Sequence, residues 1–206
     1  MRSRRLLLGA CLSFLVGACS IGKPFPQTTT YVVSLPADLA KSSSPELQDA
    51  LRIGGVRVAA PFAGRSLLYR FNEVRYVSDP YQAFGADTAA MLGGRIAEGL
   101  DDVGLFRTVL QPGSASPARY VLEVSVTELY GDFREGRSPA AVMSVQFALV
   151  DTAGLRPSLI YERSISRRIP LPRAAPEDLV RGYGTALAGI LSQLVSELGV
   201  MCAYPR

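Results

Sequence analysis

The N-terminal segment constrains this chain more than any other stretch, because it decides where the folded part begins. A basic stretch, Met1–Arg5, precedes an apolar run from Leu6 to Ala18. That run is 13 residues long, whereas a helix that spans a bilayer needs about 20. A basic start followed by a short apolar run is typical of a secretory signal peptide. We therefore predict that residues 1–18 are removed from the mature protein.

The end of this segment carries a more specific signal. Gly17, Ala18 and Cys19 have the small residues and the cysteine of a bacterial lipobox. In such a motif the cysteine becomes a thioether to diacylglycerol and its freed amine is acylated, for example with palmitate. Several acyl chains, each contributing about 0.8 kcal/mol per buried methylene, make such an anchor permanent. Cys19 is thus the predicted lipidation site; the alternative is an ordinary signal peptide that contains a cysteine.

The residue after this cysteine indicates to which membrane the lipoprotein is sorted. Ser20 stands where an aspartate often marks retention in the inner membrane. The expected location is therefore the outer membrane, with the domain facing the periplasm.

Removal of the signal peptide changes the charge balance. The whole chain has a formal net charge of +4, and all 18 acidic residues lie after residue 18. Loss of Arg2, Arg4 and Arg5 therefore leaves +1. The pI of about 9.1 is largely a property of the signal peptide, so no nucleic-acid partner is expected.

The side-chain inventory limits the chemistry. The chain has no histidine, which removes Ser–His–Asp and Cys–His catalysis and imidazole metal sites. An enzyme is disfavoured, although carboxylates, lysine or tyrosine alone can also catalyse, and no cofactor or metal is expected. With Cys11 discarded and Cys19 lipidated, Cys202 would be the remaining thiol, so no intramolecular disulfide is predicted. An inert tail thiol is a simpler interpretation of Cys202 than a nucleophile.

The mature chain divides into a tether and one domain. Residues 19–30 contain Gly22, Pro24, Pro26 and three successive threonines, which predicts an extended tether. About ten such residues span at most about 35 Å, so the domain stays near the membrane surface. Residues 31–206 form the predicted domain, with a surface loop over residues 37–49.

Alternating apolar and polar residues predict a set of strands. Asn72 and Glu73 form a plausible tight turn between two of them, which gives a hairpin. The later runs are separated by short connections, as an antiparallel meander requires. The predicted strands cover residues 31–36, 56–60, 67–71, 74–77, 105–110, 120–127, 144–149 and 159–169.

Two long helices complete the pattern. The first is predicted to start at Asp79-Pro80 and to end at Gly104, and its paired glycines indicate close packing on a sheet or a second helix. The other begins at Pro176 and ends at Gly199, with Tyr183 and Leu187 on its apolar face. The predicted fold class is α+β, a single domain with a largely antiparallel sheet and two long helices packed on one face.

Seven short motifs follow one another along the chain: Tyr31–Pro36, Ser66–Arg70, Glu73–Tyr76, Gly104–Val109, Pro112–Ser114, Tyr120–Glu123 and Leu129–Phe133. In this order they resemble a known family, the ABC-type transport auxiliary lipoproteins, which include the paraquat-inducible protein C-like lipoproteins. A tryptophan is common in that family in the helix predicted after Pro80, whereas Tyr81 and Phe84 are the aromatic residues here.

The resemblance implies a periplasmic lipoprotein that acts with an ABC permease, its ATPase and a membrane-anchored MCE-domain protein to move lipids between the two membranes. The expected role is a non-enzymatic accessory or docking subunit. The alternatives are a lipid-binding module that holds acyl chains itself and, in third place, a carboxylate-dependent hydrolase. An oligomeric partner would favour a homo-oligomer.

Three further groups of residues are candidates for chemistry. Glu123, Glu128 and Asp132 could form an acid/base site, but odd spacing places the two glutamates on opposite faces of a regular strand. Asp101-Asp102 fits the exposed end of a helix better than a metal site. Five arginines could meet lipid headgroups or an acidic partner if they gathered at one edge, whereas a scattered solvated set is the simpler interpretation. These are Arg134, Arg137, Arg163, Arg167 and Arg168.

Overall fold

The computed structural model describes residues 27–37, 39, 41–42 and 47–203. The predicted signal peptide, Cys19 and most of the predicted tether lie outside these residues. In the described part the chain forms eight strands and two α-helices. They are β1 (Thr29–Tyr31), β2 (Leu47–Val58), β3 (Ser66–Arg70), β4 (Tyr76–Phe84), α1 (Thr88–Val103), β5 (Phe106–Leu110), β6 (Tyr120–Asp132), β7 (Ala140–Asp151), β8 (Ser158–Pro170) and α2 (Pro176–Ala203).

All eight strands belong to one mixed sheet. The long strand β6 pairs with antiparallel β7 on one side, and β7 pairs with antiparallel β8. On its other side β6 runs parallel to β2 and, at its C-terminal end, to β3. Beyond these, β5 is parallel to β2, β4 is antiparallel to β3, and β1 is parallel to β4.

The predicted largely antiparallel sheet is therefore wrong, because four of the seven strand pairings are parallel. The two helices and the α+β class fit the structure. Strand alternation has the same period in both pairing modes, so the sequence pattern could not distinguish them. The parallel pairs join strands that are distant in the chain, and α1 carries the chain across between β4 and β5.

The start of the first helix also differs from the prediction. Residues 79–84 belong to β4, and α1 follows an N-cap at Asp87, whose carboxylate accepts a hydrogen bond from the Ala90 amide at 2.9 Å. Asp79 instead accepts hydrogen bonds from the amides of Tyr81 and Gln82 at 2.8 and 3.1 Å. This turn lies where the β3–β4 register shifts. An Asp-Pro pair can thus stabilise a strand irregularity with the same bonds that would cap a helix.

The predicted strand over residues 31–36 is wrong, because β1 is Thr29–Tyr31 and residues 32–36 are irregular, whereas most of the other predicted elements are confirmed. The hairpin around Asn72 and the end of α1 at Gly104, whose φ is 72°, agree with the sequence. Strand β2 begins inside the predicted loop, at Leu47, and α2 continues past Gly199 to Ala203. Glycine at position 104 is favoured because a side chain strains the left-handed conformation.

The core lies between the sheet and the helices. Helix α1 packs on β2 and β5, α2 packs on β7 and β8, and the helices touch each other. Tyr183 and Leu187 are 1% exposed, which confirms their predicted core positions. Close packing explains Gly93 and Gly99 of α1, since a Cβ on Gly93 would lie 3.0 Å from Val56 and one on Gly99 would lie 2.7 Å from Leu191. Gly94, the other member of the glycine pair, has open space where its Cβ would lie, so the predicted close packing is wrong for that residue.

Helix α2 is long and apolar enough over Pro176–Met201 to cross a membrane by length and composition. Half of its most apolar window is buried inside the domain. Leu179, Leu187 and Leu194 are completely or almost completely buried. Packing against β7 and β8 therefore accounts for much of the apolar character of this helix.

Candidate functional site

Two turns lie side by side at one end of the sheet. The β3–β4 turn, residues 71–75, follows Arg70, and the β6–β7 turn, residues 133–139, follows Asp132. Arg70 and Asp132 are register partners, and the Phe133 amide donates a hydrogen bond to the Arg70 carbonyl at 2.8 Å. We call these two turns, with Arg70, Tyr76, Tyr130, Asp132 and Arg168, the hairpin end.

A buried carboxylate organises the hairpin end. Asp132 is 1% exposed, and the Arg134 guanidinium donates two hydrogen bonds to it, both at 2.8 Å. Arg168 also donates to Oδ2 of Asp132, and it donates to the Ser138 carbonyl at 3.1 Å. Hydrogen bonds from Arg134, which have the largest effect, and from Arg168 hold the pKa of Asp132 well below its usual range, although burial alone would raise it. Asp132 is therefore an ionised structural anchor for both arginines.

A second carboxylate links the two turns. Glu73 pairs with Arg70 at 2.6 Å and also with Arg134. The hydrogen bond from Arg134 lowers the pKa of Glu73. The Arg70 guanidinium lies 5.6 Å from the ring centre of Tyr76 and 5.8 Å from that of Tyr130. Ion pairs and cation–π contacts thus fix Arg70 and Arg134 in place.

An open cleft of about 740 Å³ lies over this network. Arg75 stacks on Phe71 at 5.3 Å, and Val74 at the apex of the turn is 89% exposed. Polar and apolar groups therefore share one accessible surface. The lining residues are Phe71, Asn72, Glu73, Arg75, Phe133, Arg134, Glu135 and Arg137.

The predicted acid/base candidates are not brought together. Glu123 lies 4.0 Å from Arg57, Glu128 accepts a hydrogen bond from Ser144 at 2.5 Å, and Asp132 is held by its arginines. At about 3.3 Å per residue, each is more than 10 Å along β6 from the next. The prediction that the two glutamates lie on opposite faces is wrong as well. A bulge between Val126 and Glu128 adds one residue to β6, which shifts the alternation of its side chains and places Glu123 and Glu128 on the same face.

The five candidate arginines separate into two groups. Arg134, Arg137 and Arg168 lie at the hairpin end. Arg163 instead pairs with Glu197 at 3.4 Å, and Arg167 donates to Gln193 at 2.7 Å, so both contact α2. The sequence reasoning missed Arg70 and Glu73, because only the parallel β3–β6 pairing places them beside Asp132.

The other candidates lie elsewhere. Asp101 and Asp102 are exposed in the last turn of α1, where the Asp101 side chain accepts a hydrogen bond from the Val109 amide at 3.2 Å. Cys202 falls within α2, but its side chain is outside those described. Cys19, the predicted lipidation site, lies outside the described residues.

Two further hollows occur in the described part of the chain. An open cleft of about 560 Å³ follows α1 and is lined partly by Arg95, Glu98 and Asp101. A small cavity of about 110 Å³ lies beside Phe84 and Tyr183. Typical small-molecule sites measure about 300–1,000 Å³, so this small cavity is below the size that a lipid chain requires.

The described fold defines the class of protein as a single α+β domain with a mixed sheet, two helices and an arginine-rich end. The family model of the ABC-type transport auxiliary lipoprotein component matches residues 31–195, so the chain belongs to that family. No curated protein matches the sequence.

Solved structures with TM-scores above 0.5 show the same fold at low identity. A Xanthomonas campestris protein assigned to the family DUF330 has a TM-score of 0.74 and 15% identity, covering 85% of this chain and 97% of that one. A hypothetical protein from Chlamydia trachomatis has a TM-score of 0.52 and 14% identity, covering 77% and 100%. PelC from Paraburkholderia phytofirmans, solved as a dodecamer, has a TM-score of 0.44 and 18% identity, covering 73% and 93%. That last likeness is too distant to bear on assembly.

Proposed function

We propose that this protein is a non-enzymatic docking subunit of an MCE-type ABC system that moves lipids between the inner and outer membranes. It is anchored through lipidated Cys19 to the outer membrane and faces the periplasm. Its partner is the MCE-domain protein of the transporter, which this domain receives at the membrane. Membership of the auxiliary lipoprotein family supports a role beside an ABC transporter.

The observation that favours docking over lipid carriage is the size and position of the hollows. The cavity that reaches the core, beside Phe84 and Tyr183, measures about 110 Å³, whereas the two larger clefts are open to solvent and are lined by a mixture of charged and uncharged side chains. An acyl chain is held best in a concave, apolar and largely preformed pocket. Surface recognition therefore fits the described domain better than storage of a lipid chain.

Binding to the MCE-domain protein is the direct test. Cross-linked envelopes are solubilised, the protein is purified through an affinity tag, and the MCE-domain protein is detected in the eluate. Purified lipidated protein and purified MCE-domain protein are then combined, and complex formation is measured by size-exclusion chromatography with light scattering. The same measurement reports whether the complex contains several copies of this chain, as a homo-oligomer predicts.

Lipid extraction separates docking from carriage. Organic solvent removes noncovalent lipid from the purified protein and leaves the acyl groups on Cys19 attached. We expect far less than one extracted lipid per chain together with a stable MCE complex. Stoichiometric extracted lipid would favour the lipid-binding alternative. Failure to bind the MCE-domain protein, with unchanged outer-membrane lipid composition on deletion, would contradict the docking role.

A further inference from the structure

The direction of β1 relates the hairpin end to the N-terminal segment. Strand β1 runs parallel to β4, with Thr29 beside Gln82 and Tyr31 beside Phe84. Strand β4 begins at Tyr76, directly after the β3–β4 turn. A chain that enters β1 therefore comes from the side of the hairpin end. The described chain therefore enters the domain on the side that carries the arginine-rich surface.

The tether is long enough to cover the distance on this side. Four residues of regular strand separate Val74 from Ser78, and the irregular stretch from Ser78 to Ala83 advances only as far as two residues of β3. The apex of the turn therefore lies about 20 Å along the sheet from Gln82, at about 3.4 Å per residue. Cys19 precedes Thr29 by ten residues, which can reach about 33–36 Å when extended. A tether of this length allows the apex of the turn to touch the membrane in which Cys19 is anchored.

The surface at the hairpin end has the composition of an interfacial membrane contact. Phe71 and Val74 are exposed, and Val74 has 89% of its surface open. Among the described residues, Arg75 and Arg137 are exposed and in no ion pair, whereas Arg70, Arg134 and Arg168 are held by Glu73 and Asp132. Glu135 is the third carboxylate there, so five arginines face three carboxylates. Exposed apolar side chains beside arginines suit the boundary between headgroups and acyl chains.

We propose that the hairpin end is a membrane-contact surface. Phe71 and Val74 insert at the headgroup level of the bilayer that holds the anchor, and Arg75 and Arg137 bind the phosphates of anionic headgroups. This inference rests on the lipid anchor at Cys19 in the proposed function. It goes beyond that function because it gives the domain a second attachment and a fixed orientation on the membrane.

The absence of tryptophan from the sequence permits a direct test. Val74→Trp and, as a matched control, Leu155→Trp each introduce a single fluorophore. Leu155 is exposed in the β7–β8 turn, at the opposite end of β7 from the hairpin end. The full lipidated proteins are reconstituted in vesicles of equal parts phosphatidylethanolamine and phosphatidylglycerol, with and without bromine on the acyl chains. We expect a blue-shifted emission and severalfold stronger quenching for Val74→Trp than for Leu155→Trp.

Charge reversal tests the arginines separately. In the Val74→Trp protein, Arg75→Glu with Arg137→Glu should weaken quenching severalfold in these vesicles. Arg156→Glu, in the exposed β7–β8 turn, is the matched control and should leave quenching unchanged. Replacement of phosphatidylglycerol by phosphatidylcholine should reduce the difference between the two charge variants.

Flotation of the vesicles, measured in parallel, distinguishes failure of the lipid anchor from failure of the membrane-contact surface. Protein that floats with equal quenching at positions 74 and 155 would overturn the membrane-contact surface and leave the anchor intact. A blue shift at position 74 without quenching by brominated lipid would show that another copy of the chain covers the turn, which also overturns it. Protein that does not float would overturn the anchor and the contact surface together.

Discussion

Arginines hold both of the carboxylates that are buried in the described part of the chain. Asp132 binds Arg134 and Arg168, and Asp178 binds Arg173 at 3.0 Å and Arg181 at 2.8 Å. Burial of a charge is costly without a partner, so each carboxylate stabilises the fold only as part of its group. The first group joins the two turns of the hairpin end, and the second lies at the start of α2.

Asp132→Asn should destabilise the protein by about 2–3 kcal/mol, because it weakens charge-assisted hydrogen bonds to two arginines. Urea unfolding measures the free energy. Glu135→Gln is the matched control, since this exposed residue in the same turn makes no ion pair among the described residues and should change stability by less than about 0.5 kcal/mol. Equal stabilities for the two variants would contradict a structural role of Asp132.

The same carboxylate should make the fold sensitive to acid. Its arginines lower the pKa of Asp132 below the ordinary value of 3.8, so the native state favours the ionised form. This stabilisation is fully present above about pH 5 and is lost as the pH falls through about 4 toward the native pKa. Asp132→Asn should therefore flatten the fall in unfolding free energy over this acidic range. An acid dependence identical to that of the parent would contradict this assignment.

Leu187→Asp should prevent stable folding at neutral pH, because it places an unpaired charge in a side chain that is 1% exposed. The expected cost exceeds about 4 kcal/mol. Thr185→Asp, two residues away on an exposed position of the same helix, should change stability by less than about 1 kcal/mol. Circular dichroism during thermal unfolding measures both. Cooperative unfolding of Leu187→Asp at the parent temperature would show that this face is not core.

At the scale of elements, local sequence patterns predicted the strands and helix ends that are determined by residues close together in the chain. Apolar periodicity predicted β6, β7, β8 and most of α2, and Gly104 predicted the end of α1. The pattern failed at Asp79-Pro80, where the Asp79 carboxylate accepts amide hydrogen bonds within a strand irregularity instead of capping a helix. It also failed for the parallel pairs, because the partner of a strand is set by contacts between residues distant in the sequence.

Helix α2 has Gly184 at the position where the backbone of Ser34 crosses the helix in close contact. A Cβ on Gly184 would overlap the backbone carbonyl of Ser34, and a carbonyl cannot turn aside as a side-chain end can. Gly184→Ala should destabilise the protein by about 1–3 kcal/mol. Gly94→Ala in α1 is the control, since no atom beyond the neighbouring backbone of its own helix lies within 4 Å of its added Cβ, and it should stabilise the protein by about 0.5–1 kcal/mol. Stabilisation by both alanines in urea unfolding would contradict the close contact.

At the scale of the whole molecule, the sequence identified several residues of the candidate site but did not show which residues lie together in the fold. Arg134, Arg137 and Arg168 were recognised as candidates, whereas Arg70 and Glu73 join them only through the β3–β6 pairing. The odd spacing of Glu123 and Glu128 misled because a bulge changes the phase of β6. Local composition thus indicated an arginine-rich surface, and the topology of the sheet determined which residues form it.

The attachment of the whole molecule depends on Cys19, the one residue on which the predicted anchor rests. Cys19→Ala removes the thiol that would form the thioether, so the variant should lack acyl groups and leave the membrane fraction. Metabolic labelling with radioactive palmitate and fractionation of envelopes measure the two effects. Cys202→Ala is the matched control, because it removes another thiol and should retain both label and membrane association. Normal palmitate labelling of Cys19→Ala would refute lipidation at this position. Loss of label with full membrane retention would instead show that an attachment other than the acyl groups, either an uncleaved Leu6–Ala18 segment or the domain itself, holds the protein at the membrane.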